Sequence, residues 1–223
     1  MITLGVDTSV SLGGVALWRD GEGVAEMMME SPLSHAEELL PLLLRLLEQC
    51  GLERDEIDLV SVNVGPGSFT GLRIGLATAK GFCQALGVPL VGIDGMFVYR
   101  ARLDAKERVC VLLRNRRDLL YARWFVGMKP QGETMVLPVA KAWERLVGER
   151  KDVTIIGDGA LALRDLLGEA PWVRLASAEM YVPSPMWIAR LGEEGDQKDR
   201  LYDLEPAYVE PILFKTNNTK KMR

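Results

Sequence analysis

Residues 59 to 87 read LVSVNVGPGSFTGLRIGLATAKGFCQALG, and no other stretch of this chain restricts its fold so strongly. An apolar run of strand length enters a turn holding Gly65, Pro66, Gly67 and Ser68, then leaves it as a long run of helix formers. A buried strand feeding a helix through a tight turn is the repeating unit of α/β proteins with a parallel sheet. The segment GPGSFTGLRIG holds four glycines and a proline in eleven residues, which suits a backbone that approaches another group closely.

The flanking sequence extends this unit in both directions. ITLGVDTS (2–9) and SLGGVALWRD (11–20) predict two strands, and Asp20-Gly21 predicts a hairpin into a third, VAEMMMES (24–31). Ser34, with Glu37 three residues on, predicts a capped helix over SHAEELLPLLLRLLEQC that ends at Gly51. LVSVNVG, the helix 70–87 and a strand PLVGID (89–94) complete the order strand, strand, strand, helix, strand, helix, strand. The order then begins again. RVCVLLRN (108–115), LLYARWFV (119–126) and TMVLPV (134–139) read as strands, and AKAWERLVGE (140–149) as a helix. VTIIGDG (153–159) reads as a strand, ALALRDLLGE (160–169) and PSPMWIARLGEEG (183–195) as helices, and DLEPAYVEPILF (203–214) as extended chain.

Three antiparallel strands followed by alternating helices and parallel strands is the ribonuclease-H-like order. Two such βββαβα units form the two-lobed actin-like ATPase (ASKHA) fold, an α/β class in which ATP lies between the lobes. The expected division is a first lobe over 1–97, a second over 98–214, and a basic tail, KTNNTKKMR, at 215–223.

Bulk properties narrow the function. A net charge of −4 and a sequence pI near 5.3 call for no nucleic-acid or membrane partner, so RNA contact would need local patches or another subunit. The three cysteines, Cys50, Cys83 and Cys110, are far apart and form no metal or disulfide pattern. MITLGVDTS lacks the basic and apolar regions of a signal peptide, and no apolar run approaches the roughly 18 residues of a membrane span, so a cytoplasmic protein is expected. A single histidine, His35, leaves no metal cluster. No GxxxxGK[ST] loop or GxSxG elbow is present, and Ser68 has no histidine other than His35 to activate it.

The helix surfaces point to a partner. At about 100° per residue, Leu39, Leu40, Leu42, Leu43, Leu44, Leu46 and Leu47 cover about 200° of the first helix, twice the arc one buried face needs. In the second helix Gly71, Gly75 and Ala79 recur every four residues beside Leu72 and Leu76, a shallow ridge for close backbone approach. Leu39, Leu40, Leu43, Leu47, Gly71, Leu72, Gly75, Leu76 and Ala79 are therefore the expected partner interface, the alternative being that this chain covers them itself. The turn and the first hairpin supply candidate nucleotide or anion contacts: Asp7, Thr8, Gly65, Gly67 and Ser68, with Arg116 from the arginine-rich stretch 114–117. The competing and more ordinary reading of Asp7 is a turn-forming, hydrogen-bonded residue.

The set GVDTS, SHAEELLP (34–41) and VNVGPGSFTGLRIGLATAKGF (62–82) resembles the TsaB (YeaZ) family, strongly in the N-terminal half and mainly in element order beyond it. The resemblance implies a non-catalytic subunit in the synthesis of threonylcarbamoyladenosine beside the anticodon of tRNAs that read codons starting with A. Its partners would be the related TsaD, which carries the metal and transfers the threonylcarbamoyl group, and the P-loop ATPase TsaE. It also implies a homodimer when alone, tRNA contact only through the complex, and no cofactor of its own, with ATP held weakly or at the complex interface. Where relatives tend to carry Asp-Ala-Arg in the second-lobe hairpin, this chain reads Leu113-Arg114-Asn115-Arg116-Arg117-Asp118. An ASKHA-type nucleotide-binding enzyme and an inactive M22 peptidase-like protein are the competing readings.

Overall fold

The computed structural model describes residues 1–10, 12–29, 35–104, 106 and 108–209. The capping residue Ser34, the side chain of His35 and the tail from residue 210 fall outside the described residues.

The first sheet holds β1 (Ile2–Asp7), β2 (Gly14–Arg19), β3 (Glu22–Met28), β4 (Leu59–Gly65) and β5 (Leu90–Asp94). Its order is β3-β2-β1-β4-β5, antiparallel across the first three strands and parallel from β1 to β5. That is the ribonuclease-H-like order expected from the sequence. The second sheet holds β6 (Arg108–Arg114), β7 (Leu119–Val126), β8 (Lys129–Pro130), β9 (Met135–Pro138), β10 (Val153–Ile156) and β11 (Val173–Leu175). It runs β11-β10-β6-β7-β8 with β9 also paired to β7, which repeats the same topology.

Among the described residues five α-helices cover the sheets: α1 (His35–Gln49), α2 (Phe69–Leu86), α3 (Gly95–Ala101), α4 (Val139–Glu149) and α5 (Pro185–Glu194). Ser68 caps α2 by accepting a hydrogen bond from the Gly71 amide at 3.2 Å, and Gly87 ends it with φ 71°. The inward side of α2 is Gly71, Leu72, Gly75, Leu76, Ala79, Phe82 and Cys83, the i, i+3/i+4 set of one face.

The structure departs from the sequence reading in three places. The segment 160–169 forms a 3-10 helix within Asp158–Glu169 rather than an α-helix. Its core-facing residues Ala160, Leu163 and Leu166 repeat every third position, and about 3.0 residues per turn lines them up where 3.6 would not. The stretch after residue 94 contains α3, which Asp94 caps by accepting the Met96 amide at 2.8 Å. Its buried Met96 and Tyr99 belong to a core that includes Val109, Val111 and Phe125 of the second sheet.

The third departure concerns the lobes. The second does not extend over 98–214, because residues 185 to 209 return to the first sheet. The Ser61 hydroxyl donates to the Ile188 carbonyl at 3.0 Å, the Asp199 carboxylate accepts the Leu90 amide at 3.0 Å, and the Ala207 amide donates to the Val64 carbonyl at 2.7 Å. A Cβ on Gly5 would lie 2.2 Å from the Pro185 carbonyl, so β1 has a glycine where the α5 backbone crosses it. Both faces of β1 are consequently covered, which is why every one of its residues is buried.

Candidate functional site

Strand ends from both sheets converge between the lobes, and the first hairpin anchors the convergence. Asp7 ends β1 with 1% exposure. One of its carboxylate oxygens accepts the Ser9 amide at 2.8 Å and the other accepts the Asn63 side-chain amide at 3.1 Å. Asn63 also donates to the Ser9 hydroxyl at 3.0 Å and accepts the Gly65 amide at 2.8 Å. Burial raises the Asp7 carboxyl above its ordinary range, and the hydrogen bonds from Ser9 and Asn63 oppose that rise without a cation to help.

Of the candidate anion contacts, the structure brings Asp7, Thr8, Gly65, Gly67 and Ser68 together, and the object they enclose is the chain itself. The Ser68 amide donates to the Ser9 carbonyl at 2.6 Å, and the Thr8 hydroxyl donates to the Gly71 carbonyl at 2.8 Å. A Cβ on Gly67 would lie 2.3 Å from the Ser9 carbonyl oxygen, and one on Gly71 2.0 Å from that of Thr8. The Gly71 amide is taken by the Ser68 hydroxyl and the Leu72 amide by the Ser68 carbonyl. The glycine turn thus wraps the segment after β1, and the Ser68, Gly71 and Leu72 amides are taken up by the chain itself. Gly65, at φ 115°, supplies the backbone bend that lets β4 enter this turn. Arg116 stands apart, on the β6–β7 turn of the other sheet, where its amide donates to the Asn115 side chain at 2.8 Å.

The expected partner interface is corrected most heavily. Leu39, Leu43, Leu47, Leu72, Leu76 and Ala79 are 0–6% exposed, and Gly71 and Gly75 are buried. Of the expected set only Leu40, at 45%, faces outward. The wide leucine arc of α1 exists because this helix is enclosed from two sides, by the first sheet and by α2. Gly75 faces the Thr8 hydroxyl, 2.2 Å from its would-be Cβ, and not a foreign helix. The outward side of the pair carries Leu40, Pro41, Ala77, Gly81 and Ala85, with Leu44, Ile74 and Thr78 half-buried at its base.

Sequence reasoning missed two residues of this region. Asn63 organises the Asp7–Ser9 hairpin, and its signal was a lone side-chain amide in the largely apolar strand VSVNV. Tyr99 on α3 is 1% exposed, and its hydroxyl has no hydrogen-bond partner among the described residues. Burial raises its pKa first, and the Asp7 and Asp158 carboxylates add to that. Asp158, after β10, accepts the Arg114 amide at 2.8 Å and is itself raised by burial.

Beside this cluster lies a cavity of about 270 Å³ between the lobes. Gly65, Pro66 and Asp94 line it from the first lobe, Arg123 and Glu133 from the second, and Ala207 and Tyr208 from the returning C-terminal segment. Arg123 bonds Asp94 across the lobes at 2.7 Å. Tyr208 is clasped in turn: Arg73 donates to its hydroxyl at 2.8 Å, and its ring lies 5.1 Å from that of Phe69. Among the described residues no group of three metal-ligating side chains occurs, and no helix is long and apolar enough to cross a membrane.

The buried Asp7 carboxyl has a measurable consequence. A raised native pKa means the folded chain holds its proton after the unfolded chain has lost it, so stability falls as pH rises from about 3.8 through the native value. Denaturant titrations of the wild type should show that loss, and Asp7→Asn should flatten it. Parallel profiles for the two proteins would refute the assignment.

Comparison with known proteins agrees with this geometry. The family model described as TsaD, tRNA N6-adenosine threonylcarbamoyltransferase, matches residues 30–165. The tRNA threonylcarbamoyladenosine biosynthesis protein TsaB of Escherichia coli is 34% identical over 230 residues, which cover 97% of this chain and 96% of that one. The uncharacterized protein ML0378 of Mycobacterium leprae is 34% identical over 143 residues, and the match covers 61% of this chain but only 39% of that protein. The solved structure of YeaZ from Pseudomonas aeruginosa superposes with a TM-score of 0.70 at 25% identity, covering 93% of this chain and 99% of that one. Matched along nearly its whole length by one such relative, and by the transferase family over more than half of it, the chain belongs to the TsaB (YeaZ) family and to tRNA threonylcarbamoyladenosine biosynthesis.

Proposed function

We propose that the chain is a non-catalytic subunit that binds and activates a TsaD-like transferase, together with a TsaE-like ATPase. The transferase then passes a threonylcarbamoyl group to the adenosine beside the anticodon. The observation that carries this reading is the outward side of α1 and α2. There Leu40 and Leu44 on one helix, and Ile74, Ala77, Gly81 and Ala85 on the other, follow one another at helical spacing with little charge between them. Small residues on α2 allow a second helix pair to approach closely, as in a four-helix bundle. The same face would serve a second copy of this chain when the transferase is absent.

The chemistry of the chain supports an accessory role. One histidine in 223 residues provides no paired imidazoles for a metal site. Asp7, the carboxylate best placed for nucleotide chemistry, is committed to Ser9 and Asn63. Reconstitution tests the reading directly. The transferase, the ATPase, tRNA and threonylcarbamoyl-adenylate should give modified tRNA with this chain present, and modification should stop when it is left out. Undiminished modification without it would refute the proposal.

A further inference from the structure

The tip of the β6–β7 hairpin lies apart from the residues that line the interlobe cavity. It reads Arg114-Asn115-Arg116-Arg117-Asp118, and Arg114, Arg116, Arg117 and Asp118 are exposed. The tip is fixed in place. The Asn115 amide donates to the Leu119 carbonyl at 3.0 Å, the Leu119 amide to the Arg116 carbonyl at 3.1 Å, and the Arg114 amide to Asp158 at 2.8 Å. Arg117 holds φ at +53°, a left-handed conformation that glycine adopts freely and a side-chain-bearing residue adopts at a cost of about 1 kcal/mol. A chain with 22 glycines places an arginine there instead.

We propose that this hairpin is an RNA contact, in which Arg114 and Arg117 each bind a backbone phosphate of the tRNA. The assignment rests on the reading of the chain as a tRNA-modifying subunit, and it adds that the subunit touches the RNA itself. Three arginines in four positions concentrate positive charge in a protein of net charge −4. Among the described residues, Asp158 and Asp118 are the acidic groups tied to the tip. Asp158 is half-buried with its carboxyl raised, and Asp118 is the one exposed carboxylate of the tip. Arg116 is engaged within the chain and is left out of the assignment.

Magnitude favours a polyanion over an acidic protein. An exposed arginine paired with a surface carboxylate contributes about 0–1 kcal/mol, because water and salt screen it. The same arginine on a nucleic-acid phosphate releases condensed counterions, and its guanidinium fork matches the phosphate oxygens. Charge on a rigid turn loses less chain freedom per phosphate than charge on a tail.

The test uses the assembled complex of this chain with its transferase and ATPase, and labelled tRNA between about 50 and 200 mM KCl. Arg114→Gln with Arg117→Gly removes both charges without straining the hairpin, since the Arg114 bond to Asp158 comes from its backbone and glycine relaxes position 117. The expected result is roughly tenfold weaker tRNA binding and a salt slope shallower by about 1 for each phosphate no longer neutralised, with assembly unchanged. Equal affinity and equal slope would overturn the proposal. So would loss of assembly with unchanged tRNA binding by the complex that remains, which would identify an acidic protein partner instead. Modification by the wild-type complex is measured alongside. Its absence would count against the subunit reading, whereas intact modification with an unchanged slope would count against this one alone.

Discussion

Alanine at position 71 should destabilise the isolated chain by about 2 kcal/mol, while alanine at position 81, ten residues along the same helix, should stabilise it by about 1 kcal/mol. The two glycines look alike in the sequence and differ only in what faces them. A Cβ on Gly71 would lie 2.0 Å from the Thr8 carbonyl oxygen and 3.2 Å from the Ser68 Cβ. The first of these neighbours is backbone, held by the Asp7–Asn63–Ser9 network on one side and by Gly71 itself on the other. Relief therefore requires moving the hairpin or the helix, and overpacking of that kind costs about 3 kcal/mol, against about 1 kcal/mol of helix propensity gained. A Cβ on Gly81 meets nothing within 4 Å, so only the propensity gain remains. Urea or guanidinium unfolding of both variants measures the difference. A Gly71→Ala chain as stable as the wild type would show that the turn does not enclose the first hairpin.

Glutamate at both Leu40 and Gly81 should abolish copurification with the transferase and reduce tRNA modification to the level seen without the chain. Leu40 is 45% exposed, and Gly81 has open space in front of it, so neither change disturbs the chain's own core. In a helix-helix interface each glutamate would be buried without a partner, a penalty of several kcal/mol that an interface of ordinary affinity cannot absorb. Leu43→Glu and Gly75→Glu would mislead as probes of docking. Leu43 is 1% exposed and Gly75 lies against Thr8, so loss of the complex would follow from loss of the fold. The informative result pairs an unchanged melting temperature of the double variant with absence of the complex. Retention of the complex would remove the α1–α2 face from the proposal.

The fold was legible where short-range chemistry decided it. Alternating and continuous apolar runs marked β1, β4, β6 and β7, the turn residues Asp20-Gly21 marked the β2–β3 hairpin, and the helical run over 70–87 marked α2 to within a residue or two. The repeated strand order followed from those elements. α3 went unseen because seven residues give too few turns for a helical period to emerge, although Asp94 sits at its cap. The candidate site was legible as a set of positions and not as an arrangement. Asp7, Thr8, Gly67 and Ser68 do meet, yet they meet to close a hairpin onto a helix.

By itself, then, the sequence determined most of the elements, their order and the family, because hydrophobic period, turn residues and caps act over a few positions and survive in any context. The tertiary structure alone decided what covers each apolar face. A period reports that a helix has an apolar side and is silent on its occupant, and the wide arc of α1 is met by a sheet and a helix of the same chain. It also decided that α5 closes the first lobe, through bonds such as that of Ser61 with Ile188 across 127 positions. Pairings at that separation are fixed by the global packing of apolar surface, which no local pattern encodes.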